Sequence, residues 1–416
     1  MKITKITARE ILDSRGKPTV AASCYLSDGS VAEGSVPSGA STGSNEAFEL
    51  RDKDKKRYDG MGVLDAVKNV NELIAPEICG YDARDQHKID KRLIKIDGTF
   101  NKSFLGANSI LAVSLAVAKA QALSDGLELY EYFAIKFRGA HGKKFKLPTP
   151  MFNILNGGKH AENNVDIQET MIVPIGLKSF EAKLRAGAEI YQTLKNELIL
   201  EGFSVGLGDE GGFAPNLKSN EEVFRYVERA IKESGYSTKS IRTSTDIAAD
   251  SLYNPKSKTY RLAGEKRDLD SKRMTLLISG WVKKYNLLSV EDGLFEEDPN
   301  WAELTEKIKP AFSIGDDLLV TNPTKIIEAA KKKMANGVII KANQIGTITE
   351  TFQAIKAAQK NKFKVIVSHR SGETSDSFIA DLAVATGADF IKSGAPARSE
   401  RLAKYNRLLK IEEILT

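Results

Sequence analysis

Six short apolar runs in the second half of the chain each stop at a charged side chain. They end at Asp246 (after SIRTST), Glu291 (LLSV), Asp316 (AFSIG), Lys341 (GVII), His369-Arg370 (VIVS) and Lys392 (DFI). Carboxylates gathered from the first three repel one another unless they are protonated or share a cation. Oxygen donors, with only two cysteines and four histidines in the chain, favour a hard ion, Mg²⁺, over zinc or copper. Arg370 offers a planar fork for a phosphate or carboxylate, with Ser371 beside it.

The spacing names the elements that must carry these groups. From Glu291 to Asp316 is 25 positions, to Lys341 another 25, to Arg370 another 29 and to Lys392 another 22. Each interval fits a strand and its return helix. Such βα repeats close into a barrel whose strand carboxyl ends meet at one mouth. Buried strands must stop somewhere, and a polar residue stops any one of them. That explanation does not account for acids on three successive units followed by bases on the next three.

Other segments add candidates. Asn156 to Thr170, NGGKHAENNVDIQET, holds His160, Gln168 and Glu169 in a glycine-rich stretch. GLGDEGGFAPN sets Asp209 and Glu210 among four glycines, a pattern equally suited to a plain turn or to close backbone approach to a ligand. SHRSGE and IKSGAPARS follow the last two strands, where barrels commonly build phosphate sites. VPSGASTG, residues 36–43 and including Ser41, is a loop of small residues.

With 416 residues the chain exceeds the usual single-core size, so two domains are expected. Residues 2–36 alternate like strands, with Asp28-Gly29 as a two-residue hairpin signal, and helical spacing runs from Leu64 to Ala134. The basic stretch KFRGAHGKKFKLPTP marks the boundary, giving an α+β domain at 1–138 and a barrel at 139–416. Helices are expected around 178–200 and 219–233, and βα units fill the rest. The fold class is α/β.

The net charge of +6 is scattered and gives no argument for nucleic acid. Cys24 and Cys79 lack paired spacing, which points to a reducing compartment. The start lacks a signal-peptide core, and the most apolar stretch, Ile110 to Ala118, reads as too short to span a bilayer. A soluble cytoplasmic protein is the expectation. Lys331-Lys332-Lys333 reads as a solvated helix face.

At the level of motifs the chain resembles the enolase family almost end to end. The resemblance rests on AREILDSRGKPTV, SGASTG, NKSFLGANSILAVSLAVAKA, NGGKHA with Gln168-Glu169, GDEGGFAPN, VEDG, GDDLLVTN, IKANQIGT, SHRSGET with IADLAV, and IKSGAPARSERLAKYN. It implies a small N-terminal α+β domain capping an atypical (β/α)8 barrel whose second strand is antiparallel. It implies reversible, Mg²⁺-dependent dehydration of 2-phospho-D-glycerate to phosphoenolpyruvate. By the same resemblance Asp246, Glu291 and Asp316 hold the first Mg²⁺, and Ser41 joins the second, which arrives with substrate. Lys341 is then the general base and Glu210 the general acid, with Glu169 assisting. His160, Gln168, His369, Arg370, Ser371 and Lys392 bind substrate. A homo-oligomer, dimer or octamer, is implied too.

Some positions depart from the family pattern. Thr170 stands where Phe usually follows QE, Ala21 replaces a common Glu, and AADSLY from Ala248 replaces AASEFY, moving an acid from the place of Ser251 to Asp250. None is an implied ligand, so they bear on tuning around the site. Two other readings fit parts of the pattern. A different acid dehydratase of the superfamily usually lacks the SGASTG and GDEGG segments present here. A surface-binding protein on the same frame, attached to host proteins, would have no need to keep every ligand and base. The chain ends in Leu415-Thr416, without a terminal lysine.

Overall fold

A computed structural model describes residues 1–39, 45–139 and 145–416. Ser41 lies outside the described residues. The chain packs into two compact units that are discontinuous in sequence. The first takes Met1–Lys146, Ile340–Lys356 and His369–Gly387, and the second takes Leu147–Ile339, Ala357–Ser368 and Ala388–Thr416.

In the first unit the alternating N-terminal segment forms an antiparallel meander, β1 (Ile3–Leu12), β2 (Pro18–Leu26) and β3 (Val31–Ser35). The hairpin signal at Asp28-Gly29 marks a real turn, but the connection spans 27–30, with Gly29 at φ +90° and the Leu26 N–H donating to Ser30 O. The helix Ala107–Ser124 packs on β2 and β3. Gly34 permits the approach, since a Cβ there would stand 2.8 Å from Ala116 N. That helix corrects the reading of its apolar stretch. It runs 18 residues, long and apolar enough to cross a membrane by length and composition, yet 83% of it is buried inside the protein.

The second unit is built on a closed eight-stranded barrel. Its strands are β4 (Thr149–Asn156), β5 (Glu169–Val173) and β6 (Arg242–Asp246), then β10 (Ser289–Glu291), β11 (Phe312–Gly315), β12 (Gly337–Ile340), β13 (Lys364–Ser368) and β14 (Phe390–Lys392). Between β6 and β10 lies a small meander that the sequence reading missed, β7 (Tyr253–Asn254), β8 (Thr259–Leu262) and β9 (Arg267–Leu269). β5 is antiparallel to both neighbours, and β14 closes the ring by pairing in parallel with β4. The reason is local. Between β4 and β5 the chain forms only the 3₁₀ turn Gly158–His160, with no return helix, so β5 comes back the opposite way. Two helices, Phe180–Leu200 and Glu222–Glu233, then join β5 to β6, so β6 runs antiparallel to β5 and regains the direction of β4, where a single helix would have left it parallel to β5. Met151, Met171, Val173, Ile314, Ile339, Ile366 and Phe390 fill the interior as one apolar cluster.

Candidate active site

Strand register lines up the charged rim. In the ladders Glu291 stands opposite Asp246, and Asp246 opposite Glu169. Because β5 runs backwards, its first residue, Glu169, arrives at the same rim where β6 and β10 end. Lys392 closes β14 and directs its ammonium among these acids. Its Nζ lies 2.9 Å from both Glu291 oxygens, 3.1 Å from Glu169 Oε2 and 3.4 Å from Asp246 Oδ2. Burial alone would lower the Lys392 pKa, but the carboxylates of Glu169, Glu291 and Asp246 outweigh it and hold the ammonium well above its ordinary value.

Beside this cluster His160 Nδ1 stands 3.6 Å from Glu169 Oε1 and 3.8 Å from Glu210 Oε1. All three side chains are buried. Burial keeps the imidazole pKa below its usual value against the pull of Glu210. Burial, and then the Glu210 charge, push the Glu169 carboxyl well up despite Lys392. The ligand atoms of His160, Glu169 and Glu210 lie within 4.8 Å of one another, and two acids this close resist double ionisation.

The GDEGG segment is held by bonds that place Glu210. Asn153 Nδ2 donates to Glu210 Oε2 (3.0 Å), and Tyr191 Oη donates to Gly211 O (2.6 Å). The Ala395 N–H donates to Glu210 O (2.9 Å) and the Asp209 N–H to His160 O (3.0 Å). The glycines serve close approach, since a Cβ on Gly208 would stand 2.6 Å from His160 O. The segment is thus a packed loop held by these bonds.

Of the acids in the expected metal set, Asp246 and Glu291 meet Lys392, and Asp316, one residue past β11, gathers with Asp292 and Asp317, their carboxylate oxygens mutually within 4.8 Å. Asp292 organises that corner, accepting the Asp316 N–H at Oδ1 (2.9 Å) and the Asp317 N–H at Oδ2 (2.8 Å). Burial and the charges of Asp317 and Asp316 raise its pKa well above the usual carboxylate range. The donors are all oxygens, and the acids around Lys392 outnumber its single positive charge, so this rim suits a hard divalent cation. Gln168 also reaches the rim, with Nε2 donating to Asp246 Oδ2 (3.3 Å) and Oε1 buried without a hydrogen-bond partner.

The remaining sequence candidates belong to the first unit. Lys341 directly follows β12 and stands just before the short helix Ala342–Ile345. His369, Arg370 and Ser371 follow β13 and are buried. Arg370 pairs with Glu46 (2.8 Å). Ser38, at the stem of the small-residue loop, forms a two-way bridge with Gly372, and its Oγ accepts from Arg51 Nη2 (2.8 Å). Sequence reasoning missed Glu46, Asn153, Asp292 and Asp317. The acid doublets in VEDG and GDD were visible, but nothing local in the sequence distinguishes Asn153 or Glu46.

Two family models account for nearly all of the chain. Residues 3–133 match the enolase N-terminal domain, and residues 144–416 match the enolase C-terminal TIM barrel domain. With the barrel, its reversed second strand and the acidic rim in place, the chain belongs to the enolase superfamily, a metal-dependent lyase family.

Proposed function

We propose that the protein dehydrates 2-phospho-D-glycerate to phosphoenolpyruvate, and catalyses the reverse hydration, with Mg²⁺ at the acidic rim. One observation carries the reading most. The barrel mouth buries the Lys392 ammonium among Glu169, Asp246 and Glu291, with Glu210 and His160 alongside. Packing requires no such charge set, and burying it is costly unless it is used.

The chemistry follows from where charge develops. Removing the proton next to a carboxylate places new negative charge on an already anionic group. Lys392 is the fixed cation at hand for that carboxylate, and Asp246, Glu291 and Asp316, with Asp292 holding the Asp316 backbone, would hold the metal. Two Mg²⁺ ions, when bound, supply the rest of the neutralising charge at that carboxylate. Lys341 takes the C2 proton, in keeping with the superfamily's known use of a Lys or His base with one or two Mg²⁺. Hydroxide leaves poorly, so Glu210 gives it a proton, with Glu169 and His160 adjoining. Gln168, His369, Arg370 and Ser371 position the substrate, and Ser41 completes the second metal site. The protein would work as a homo-oligomer in the cytoplasm.

Blocking the two proton transfers separately tests these roles. Lys341→Ala should stop both elimination and exchange of the substrate C2 hydrogen with deuterated solvent, whereas Glu210→Gln should stop elimination and leave exchange. Each loss should be about 10²–10⁴-fold. Exchange that persists in Lys341→Ala would assign the base elsewhere, and exchange lost in Glu210→Gln would remove the separate acid role.

A further inference from the structure

In the first unit the guanidinium of Arg370 is already seated on an anion supplied by the chain itself. Nη1 donates to Glu46 Oε2 at 2.8 Å and Nη2 to Glu46 Oε1 at 3.3 Å, a two-pronged Arg–carboxylate pair. Both side chains are nearly sealed from solvent, 3% exposed for Arg370 and 6% for Glu46. The neighbours hold the arrangement in place. Asn343 Oδ1 accepts a further bond from Arg370 Nη1 (3.2 Å), Gln344 Nε2 donates to Glu46 Oε1 (3.3 Å), and the Ala47 N–H donates to Gln344 O (2.8 Å). Stability gives no reason to keep such a pair, because apolar residues of similar volume commonly serve as well or better. Breaking it from one side, in contrast, strands a buried charge.

We propose that Glu46 is an internal counter-anion of the phosphate subsite, occupying the Arg370 fork in the ligand-free protein and competing with the incoming phosphate for it. The proposal rests on the assignment of Arg370 to the substrate phosphate. A phosphate presents two oxygens to the same two N–H donors and carries more charge than a carboxylate. Exchanging Glu46 for a phosphate dianion therefore gains attraction, whereas exchanging it for a carboxylate monoanion gains nothing. The subsite is thereby selective for phosphate esters, through a built-in penalty that weaker anions cannot overcome. Glu46 acts through Arg370 and is a specificity-setting residue, with no role in the proton transfers.

The test is calorimetric titration of inorganic phosphate, at fixed Mg²⁺, into the full-length wild type, Glu46→Gln, Arg370→Gln and the double variant. With its competitor gone, Glu46→Gln should bind phosphate about tenfold tighter than wild type. Arg370→Gln should bind more weakly, and adding Glu46→Gln to it should change nothing. Mere structural loosening would have the opposite sign in Glu46→Gln. Equal or weaker binding by Glu46→Gln, with Arg370→Gln still impaired, overturns the proposal and leaves the phosphate assignment standing. Wild-type affinity in Arg370→Gln removes Arg370 from the subsite and overturns both. Should Glu46→Gln not fold, Glu46→Asp replaces it, because its shorter side chain grips the fork less well. Phosphate should then bind roughly two- to threefold tighter, and unchanged or weaker binding overturns the proposal.

Discussion

Asp250→Asn should stabilise the protein at neutral pH and leave it unchanged in acid. Asp250 lies in the 3₁₀ turn Ala249–Ser251 after β6, at the point where the chain departs from the family pattern. Its Oδ1 accepts the Glu296 N–H (3.1 Å), while Oδ2 is buried without a hydrogen-bond partner. Burial pushes its pKa up from 3.8 to about 6, and the Glu296 charge adds to this, against the pull of the Glu296 N–H and of Lys159. Between those two values the folded protein holds a proton that the unfolded chain has released. Stability therefore falls as pH rises through that window and is level above about pH 6. A two-unit shift is worth about 3 kcal/mol, which partial exposure reduces to about 1–2 kcal/mol. Asparagine keeps the accepting oxygen and carries no charge. Thermal melts at about pH 3 and about pH 7.5 should show the variant level with wild type in acid and roughly 2 °C higher near neutrality. An unchanged difference between the two pH values, or a less stable variant at the higher one, would refute the reasoning.

Other substitutions probe the rim and its loops. Lys392→Met leaves Glu169, Asp246 and Glu291 buried without their shared ammonium, which should cost about 3–5 kcal/mol. Added Mg²⁺ should raise its melting temperature more than that of wild type, and equal shifts would contradict a cation role for the rim. Gly208→Ala places a Cβ 2.6 Å from His160 O and should displace Glu210. Its kcat should drop by about 10²-fold with an unchanged circular dichroism spectrum, and full activity would show that the loop tolerates the shift. Asn153→Leu removes the 3.0 Å bond to Glu210 Oε2 and should lower kcat by about tenfold with little effect on KM. A change confined to KM would place Asn153 in substrate binding instead.

What the sequence made legible was the part governed by period and spacing. Asp246, Glu291 and Lys392 end their strands, as their apolar runs implied, and Asp316, Lys341 and His369 come just after theirs. The small meander at Tyr253–Leu269 was missed because its strands are two to four residues long, too short for alternation to register. The neighbours of the acids were also hidden. That Glu291 meets Lys392 and that Asp316 gathers with Asp292 and Asp317 depend on cross-strand register and on the Asp292 bonds to the Asp316 and Asp317 N–H groups, neither of which is a local property. Asn153 and Glu46 act across 57 and 324 positions of chain, and their residue types alone announce nothing.

Adding 2-phosphoglycerate to the purified protein and following the ultraviolet absorbance of phosphoenolpyruvate, with Mg²⁺ and after exhaustive chelation, tests the central claim most directly. The account predicts steady growth of the phosphoenolpyruvate band with Mg²⁺, none after chelation, and full recovery when Mg²⁺ is restored. No growth with Mg²⁺ present would contradict the proposed reaction, and full activity after chelation would contradict the metal's part in it.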